Sequence, residues 1–133
     1  MIRNQLRRFL VRQGQKISLW LGIVLILSVG LIHACDAPDS FRDAVYKGWL
    51  FYLNGAGAIV AAVGILRRKP WGWNLGFVIA ACSFVGYVAS RTVGLPFIAA
   101  EPDAWLEPLG VASLVTEGLF VVLFVGTRCL FKK

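Results

Sequence analysis

Four long apolar stretches divide this chain, and the short segments between them hold most of its charged residues and prolines. A bilayer core about 30 Å thick requires about 20 mainly apolar residues in each helix that crosses it. Each apolar stretch is close to that length. The pattern therefore predicts four membrane-spanning helices, at Ile17 to Ala34, Tyr46 to Leu66, Trp71 to Ser90 and Pro108 to Thr127.

The connecting segments are too short to fold as a separate soluble domain. We therefore expect one all-α domain over residues 17–133, a four-helix integral membrane bundle in up-down-up-down order. Two interpretations of residues 1–16 stand side by side. The segment is either an interfacial helix that turns before entering the membrane, or a solvated basic cytoplasmic tail. In the first case one side of the helix carries Ile2, Leu6, Phe9 and Leu10.

The composition agrees with the hydrophobic pattern and sets the expected orientation. Hydrophobic residues make up 58% of the 133 positions and charged residues 16%, whereas soluble domains are about 25% charged. The net charge is +7. Most basic residues fall before the first span, between the second and third spans, or after the fourth: Arg3, Arg7, Arg8, Arg12, Lys16, Arg67, Arg68, Lys69, Arg128, Lys132 and Lys133.

The acids of the two other connections lie on the opposite side: Asp36, Asp39, Asp43, Glu101, Asp103 and Glu107. By the positive-inside rule, both termini are expected in the cytoplasm and the acidic loops outside. This layout predicts a multi-pass protein of a cytoplasmic membrane whose basic residues face lipid headgroups. No base-reading motif accompanies the charge, so we do not expect a nucleic-acid partner.

The cysteines are expected at three different depths: Cys35 at the outer mouth, Cys82 midway along the third span and Cys129 at the inner boundary. A disulfide needs α-carbons within about 7 Å, so no pair within one chain is expected. The sequence IHAC resembles a lipoprotein cleavage site before Cys35, but His33 fits such a site poorly. The first apolar segment is therefore expected to be retained as a span.

Small residues recur every four positions and predict close helix packing, because transmembrane helices associate where their backbones can approach each other. In the third span they are Gly72, Gly76 and Ala80, and in the second Gly57 and Ala61. These seams fit packing within the chain and packing between two copies equally well.

Polar residues inside the spans form the main candidate site. Glu117 is the only acid within a predicted span, where an ionised carboxylate is costly. Asn54 and Ser83 are predicted at similar depth, and Tyr87 and Arg91 follow Ser83 along one helix face. We expect a polar ladder through these residues, serving either as a proton or ligand path or as an interhelical clamp.

Arg91 closes the outer end of that ladder and raises a second question. It can pair with the loop carboxylates Glu101, Asp103 or Glu107, contact a lipid phosphate, or lean inward toward Glu117. Gly94 and Pro96 end the helix just beyond it and predict a sharp turn.

A metal site is a further hypothesis at the outer mouth, where His33, Cys35 and Asp36 lie close in sequence. Imidazole, thiolate and carboxylate together suit copper or zinc. The chain has one histidine and no paired-cysteine motif, so a hydrogen-bonded interfacial histidine is the alternative and no cofactor is predicted. Motifs of nucleophilic or phosphate chemistry are also absent from the sequence, and we do not expect an enzyme.

Several segments resemble small uncharacterised four-span integral membrane proteins of bacteria. They are His33 with Ala37 and Pro38, the LFYLNGAGAIVAA run from Leu50 to Ala62, SRTVGLP from Ser90 to Pro96, and WLEPLG from Trp105 to Gly110. The resemblance implies the four-span architecture and directs attention to His33, Arg91, Glu107 and Glu117. It implies no reaction.

These observations predict a non-enzymatic accessory or structural subunit that packs with other membrane subunits or with itself. The first alternative is a small transporter, channel or proton relay that uses Glu117. The second is an outward-facing copper- or zinc-handling protein that uses His33 and Cys35.

Overall fold

The computed structural model describes residues 2–130, and this part of the chain is helical apart from short connections. Lys132 and Lys133, two of the basic residues that indicated orientation, lie outside the described residues. The helices are α1 (Ile2–Asp43), α2 (Val45–Leu66), α3 (Pro70–Thr92) and α4 (Pro108–Leu130). All four are long and apolar enough to cross a membrane. The all-helical, multi-pass architecture predicted from hydropathy is confirmed.

Residues with special backbone conformations determine where α2 and α3 end and where α3 begins. Arg68 adopts φ 56° in the turn after α2, and Pro70 begins α3, where its missing N–H leaves no helical bond unmade. Beyond α3, Gly94 has φ 85°, a conformation that glycine adopts readily. Both turns lie where the sequence predicted them.

Helix α1 is much longer than the predicted first span. It runs without interruption through residues 1–16 as far as they are described, and continues past Ala34 and Pro38 to Asp43. The turn that one of the two interpretations placed before the first span is absent, because the Arg, Gln and Leu residues there are good helix formers and the segment has no proline. The first outer connection is also helical rather than a loop. At 1.5 Å per residue, α1 is about 63 Å long.

The four helices pack in a ring. Helix α1 contacts α2 and α4, and α3 completes the ring by packing between α2 and α4. The core is narrow, and Ile26, Val29, Ile65 and Phe120 are fully buried in it.

The predicted small residues are used inside the chain. A Cβ atom on Gly72 would lie 2.5 Å from the backbone of Gly64, so α2 and α3 meet main chain to main chain there. Gly76 faces the ring of Phe120 in α4, and Gly57 faces Ile79 in α3. Ala61 and Ala80 are fully buried. A second close approach places Gly30 of α1 against Ala58 and Gly55 of α2, and no packing seam was predicted in α1.

Candidate functional site

A buried polar group, here called the central cluster, lies between α1 and α4 and consists of Glu117, Ser113 and His33. Glu117 is completely inaccessible. Ser113 lies one helical turn earlier on the same face of α4, and its hydroxyl donates to Oε1 of Glu117 at 2.5 Å. The carboxyl group is therefore held in place by its own helix before any contact with α1.

His33 approaches this carboxyl group from α1, with Nε2 3.6 Å from Oε1 of Glu117. Its other ring nitrogen, Nδ1, lies 2.9 Å from the carbonyl oxygen of Val29. A carbonyl only accepts hydrogen bonds, so Nδ1 carries a hydrogen. In the neutral ring, Nε2 therefore directs a lone pair toward Glu117. Phe51 of α2 meets the imidazole edge to face, with ring centroids 4.7 Å apart, and limits its rotation.

The chemistry of this pair depends on one proton. A neutral imidazole and an ionised carboxylate would place two lone pairs against each other, whereas one proton on either partner makes the contact attractive. The second oxygen of Glu117, Oε2, is buried and has no hydrogen-bond partner among the described residues. The central cluster thus places an imidazole and a carboxyl group 3.6 Å apart between two helices, where a proton on either group stabilises the contact.

The continuous polar ladder predicted from the sequence is not formed. Asn54 donates to Ser83 across the α2–α3 contact at 2.7 Å, whereas Glu117 faces α1. Within residues 2–130, α2 and α4 do not pack against each other. The predicted proximity of Asn54 and Ser83 is therefore found, whereas Glu117 does not join them, because the rotation of α4 in the ring turns its face toward α1.

Tyr87 and Arg91, the outer members of the predicted ladder, belong to a separate group. Arg91 is 6% exposed; its Nη1 donates to Glu101 and its Nη2 to Glu107, each at 2.5 Å. The guanidinium carbon lies 4.9 Å from the centroid of the Tyr87 ring. We call Arg91, Glu101 and Glu107 the loop clamp. Asp103, the third candidate partner, is exposed and forms no ion pair with any described residue.

Hydrogen bonds around the loop clamp fix the segment between α3 and α4. The hydroxyl of Tyr87 donates to the carbonyl oxygen of Trp105 at 3.0 Å, and that of Tyr46 donates to Pro96 at 2.6 Å. The backbone N–H of Glu101 bonds to the carbonyl of Ser90 at 3.0 Å. Together with the loop clamp, these bonds tie the loop to the beginning of α2 and to the end of α3.

The structure does not gather the proposed metal ligands. Among residues 2–130 there is no group of three or more His, Cys, Asp and Glu side chains placed to hold an ion. His33 turns inward to Glu117, while Cys35 is exposed and Asp36 is half-buried. His33 was assigned to the outer mouth because α1 was expected to end near Ala34. The helix continues for nine residues, about 13 Å, so that His33 lies within the bundle.

The contact between His33 and Glu117 was not predicted from the sequence, although the sequence did contain the spacing of Ser113 and Glu117. Ser113 and Glu117 are four residues apart, and a serine at this spacing can hydrogen-bond to a buried glutamate on its own helix. The partner from α1 could be found only by knowing where α1 ends. All three cysteines are free, as their separate depths predicted.

Comparison with models of protein families, with curated proteins and with solved structures found no match for this chain. The chemistry of the site therefore follows from its own residues. These provide a buried imidazole–carboxyl pair that can hold a proton and a guanidinium that holds two carboxylates at one end of the bundle.

Proposed function

We propose that this protein is a non-enzymatic membrane subunit that supports a larger or homo-oligomeric complex of the bacterial inner membrane. The observation that carries the proposal is the first part of α1, residues 2–13. Every residue in this segment is helical and exposed. A helix that extends past its own bundle without a partner is available to another subunit. We call residues 2–13 the N-terminal arm.

The N-terminal arm has a surface suited to contact. Its apolar residues Ile2, Leu6 and Phe9 are 83%, 56% and 57% exposed, and their spacings of four and three place them on one side of the helix. Arg3, Arg7, Arg8 and Arg12 lie on the other sides of the helix, together with Asn4, Gln5 and Val11. An apolar stripe beside positive charge fits a groove that has acidic residues on its rim.

The proposed topology is up-down-up-down, with both termini in the cytoplasm. The contacts between α2 and α3 support this topology, because they run antiparallel: the end of α2 lies beside the beginning of α3. Gly64 lies against Gly72, and Gly57, seven residues earlier, lies against Ile79, seven residues later. Charge supports the orientation, because the α2–α3 turn and the N-terminal arm are both basic while the loop clamp side is acidic.

Extraction in mild detergent followed by mass measurement tests the subunit proposal. We expect the wild-type protein to elute with other membrane subunits or as a multimer, and Leu6→Ser/Phe9→Ser to elute as a monomer of unchanged helix content. Asn4→Ser/Gln5→Ser changes the same arm outside the apolar stripe and should behave as wild type. A wild-type protein that is monodisperse and monomeric would count against the proposal, as would association that survives the Leu6/Phe9 change.

A proton relay is a second candidate function, favoured by the His33–Glu117 contact within the bundle. Purified protein in vesicles containing a pH-sensitive dye provides the test. A relay requires proton flux above that of empty vesicles, and its loss in Glu117→Gln because the amide cannot carry the proton. Equal fluxes for wild type, Glu117→Gln and empty vesicles would leave the central cluster with a structural role.

A further inference from the structure

A cavity of 280 Å³ opens at the end of the bundle where α1 emerges toward the N-terminal arm. Its apolar wall comes from Leu19 of α1, Ile65 of α2 and Trp73 of α3. The Trp73 ring is fixed on two sides: it packs against Gly22, where a Cβ would lie 2.5 Å from the ring, and it stacks on Phe120 with centroids 5.8 Å apart. The Trp73 part of the apolar wall is thus held in place by its neighbours.

The rim of the cavity is polar and comes from three different parts of the chain. Gln15 and Ser18 belong to α1, Thr127 belongs to α4, and Arg68 lies in the α2–α3 turn. The turn is held by the N–H of Arg68, which bonds to the carbonyl of Ile65 at 2.8 Å, and by that of Lys69, which bonds to Gly64 at 2.9 Å. The guanidinium therefore extends from a fixed backbone with φ 56°, a conformation uncommon for arginine.

Positive charge at this rim has no counter-charge within the described chain. Arg67 and Lys69 flank Arg68, and Lys16 follows Gln15. All seven acids of the sequence fall within residues 36–43 or 101–117, and the ion pairs of the described residues are formed there. An anionic group is the complement that this end of the molecule lacks.

We propose that this cavity binds the phosphate head of an anionic phospholipid. Guanidinium groups hold phosphate through paired, charge-assisted hydrogen bonds, with Arg68 in that role. Gln15 and Ser18 would donate to the remaining oxygens, and the glycerol portion would lie on Trp73 and Leu19. The volume is at the small end of ligand pockets, about 300 Å³, so the cavity accommodates a headgroup while the acyl chains continue outside along the bundle. A soluble phosphate ester has the same head chemistry but no acyl chains.

Native mass spectrometry of the full chain, released from nanodiscs of phosphatidylcholine with and without phosphatidylglycerol, tests this proposal. We expect one retained phosphatidylglycerol on the wild type. Arg68→Asn should reduce retention about tenfold, since it removes a charge-assisted bond. Asparagine tolerates the left-handed backbone, so the turn is preserved. Arg67→Gln, which removes the neighbouring charge outside the cavity, is the matched control and should retain at least half of the lipid.

Leu19→Phe provides a second variant, which fills the cavity without changing any charge. It should reduce retention to the level of Arg68→Asn. Equal losses in Arg67→Gln and Arg68→Asn would overturn the proposal, because they would show general attraction to a basic surface. Displacement of the lipid by millimolar glycerol phosphate at constant ionic strength would also overturn it, by showing that the site takes a soluble phosphate ester. Undiminished retention in Leu19→Phe would place the lipid elsewhere.

Discussion

At the scale of single residues, this protein places charge in an apolar environment in two different ways. Arg91 is buried with two carboxylates that are themselves more than half exposed, so water and protein share in stabilising the ions. Glu117 has no access to water, and its neighbours are a hydroxyl and an imidazole. The first arrangement stabilises charge, and the second favours a proton on one of the two groups.

Substitution of Arg91 should loosen the loop between α3 and α4. Arg91→Gln removes both ion pairs, and we expect a loss of about 1 to 2 kcal/mol in unfolding free energy together with faster hydrogen exchange over residues 93–107. Arg91→Lys keeps the charge but not the forked geometry, and should recover only part of the loss. Arg42→Gln is the control, since the 83% exposed Arg42 side chain makes a surface pair that contributes about 0.5 kcal/mol or less. Unchanged exchange in Arg91→Gln would argue against a clamp.

Glu117 should matter for stability through its shape and hydrogen bond more than through its charge. Glu117→Gln retains an acceptor for Ser113, and we expect a loss of about 1 kcal/mol or less. Glu117→Ala removes the acceptor and leaves a void beside His33, for an expected loss of about 2 to 3 kcal/mol. Reversible unfolding in mixed detergent micelles measures both. Equal losses in the two variants would contradict this expectation, because they would show that an amide of the same shape cannot replace the carboxyl group.

At the scale of elements, the helices are joined by close backbone contact at particular glycines. The α2–α3 contact at Gly64 and Gly72 leaves no room for a side-chain atom. The α1–α2 contact is similar at Gly30, where a Cβ would lie 2.6 Å from that of Ala58. In a bilayer such contacts contribute dispersion energy that lipid cannot supply equally well.

A pair of alanine substitutions in α3 tests this view. Gly72→Ala should lower unfolding free energy by about 1 to 3 kcal/mol, because the helices must separate to admit the new methyl group. Gly86→Ala, in the same helix, meets no atom within 4 Å and should be neutral or stabilising by up to about 1 kcal/mol. The same unfolding assay reports both. A small loss of unfolding free energy in Gly72→Ala and a large loss in Gly86→Ala would show that the packing face has been assigned to the wrong side of α3.

Hydropathy predicted the existence of all four helices, because a bilayer leaves little choice for a long apolar segment. The extent of α1 was not predictable in the same way. Its ends are polar, and nothing in hydropathy distinguishes a helix that continues from one that stops. The position of the C-terminal end of α1 determines which residues form the site. Because α1 ends at Asp43, His33 contacts Glu117 inside the bundle and does not lie at the surface. Helix rotation, which separated Asn54 from Glu117, likewise depends on contacts far apart in sequence.

At the scale of the whole molecule, the two ends of the bundle differ in charge and in construction. One end carries the N-terminal arm, the basic α2–α3 turn and the cavity beside Arg68. The other end carries the loop clamp, with its acids and arginine tied together. Such asymmetry gives the protein a preferred orientation in a membrane.

The three native cysteines can report that orientation without mutation. All three are exposed in the isolated chain. With a membrane-impermeant maleimide on intact cells, followed by peptide mass mapping, we expect Cys35 to be labelled. Cys129 should react only after the membrane is opened, and Cys82 should stay unlabelled because lipid covers it. Labelling of Cys129 before Cys35 would show that the protein has the opposite orientation to the one proposed.

The uninterrupted length of α1 has a mechanical consequence. His33 contacts Glu117 inside the bundle, and Ile2 lies 31 residues away on the same rod, at a distance of about 46 Å. Between these two points Gly30 packs against Ala58 and Gly22 against Trp73, so the bundle holds the inner part of the rod in place. The 12 residues of the N-terminal arm continue it for about 18 Å, which sets how far from the bundle the apolar stripe can meet another subunit.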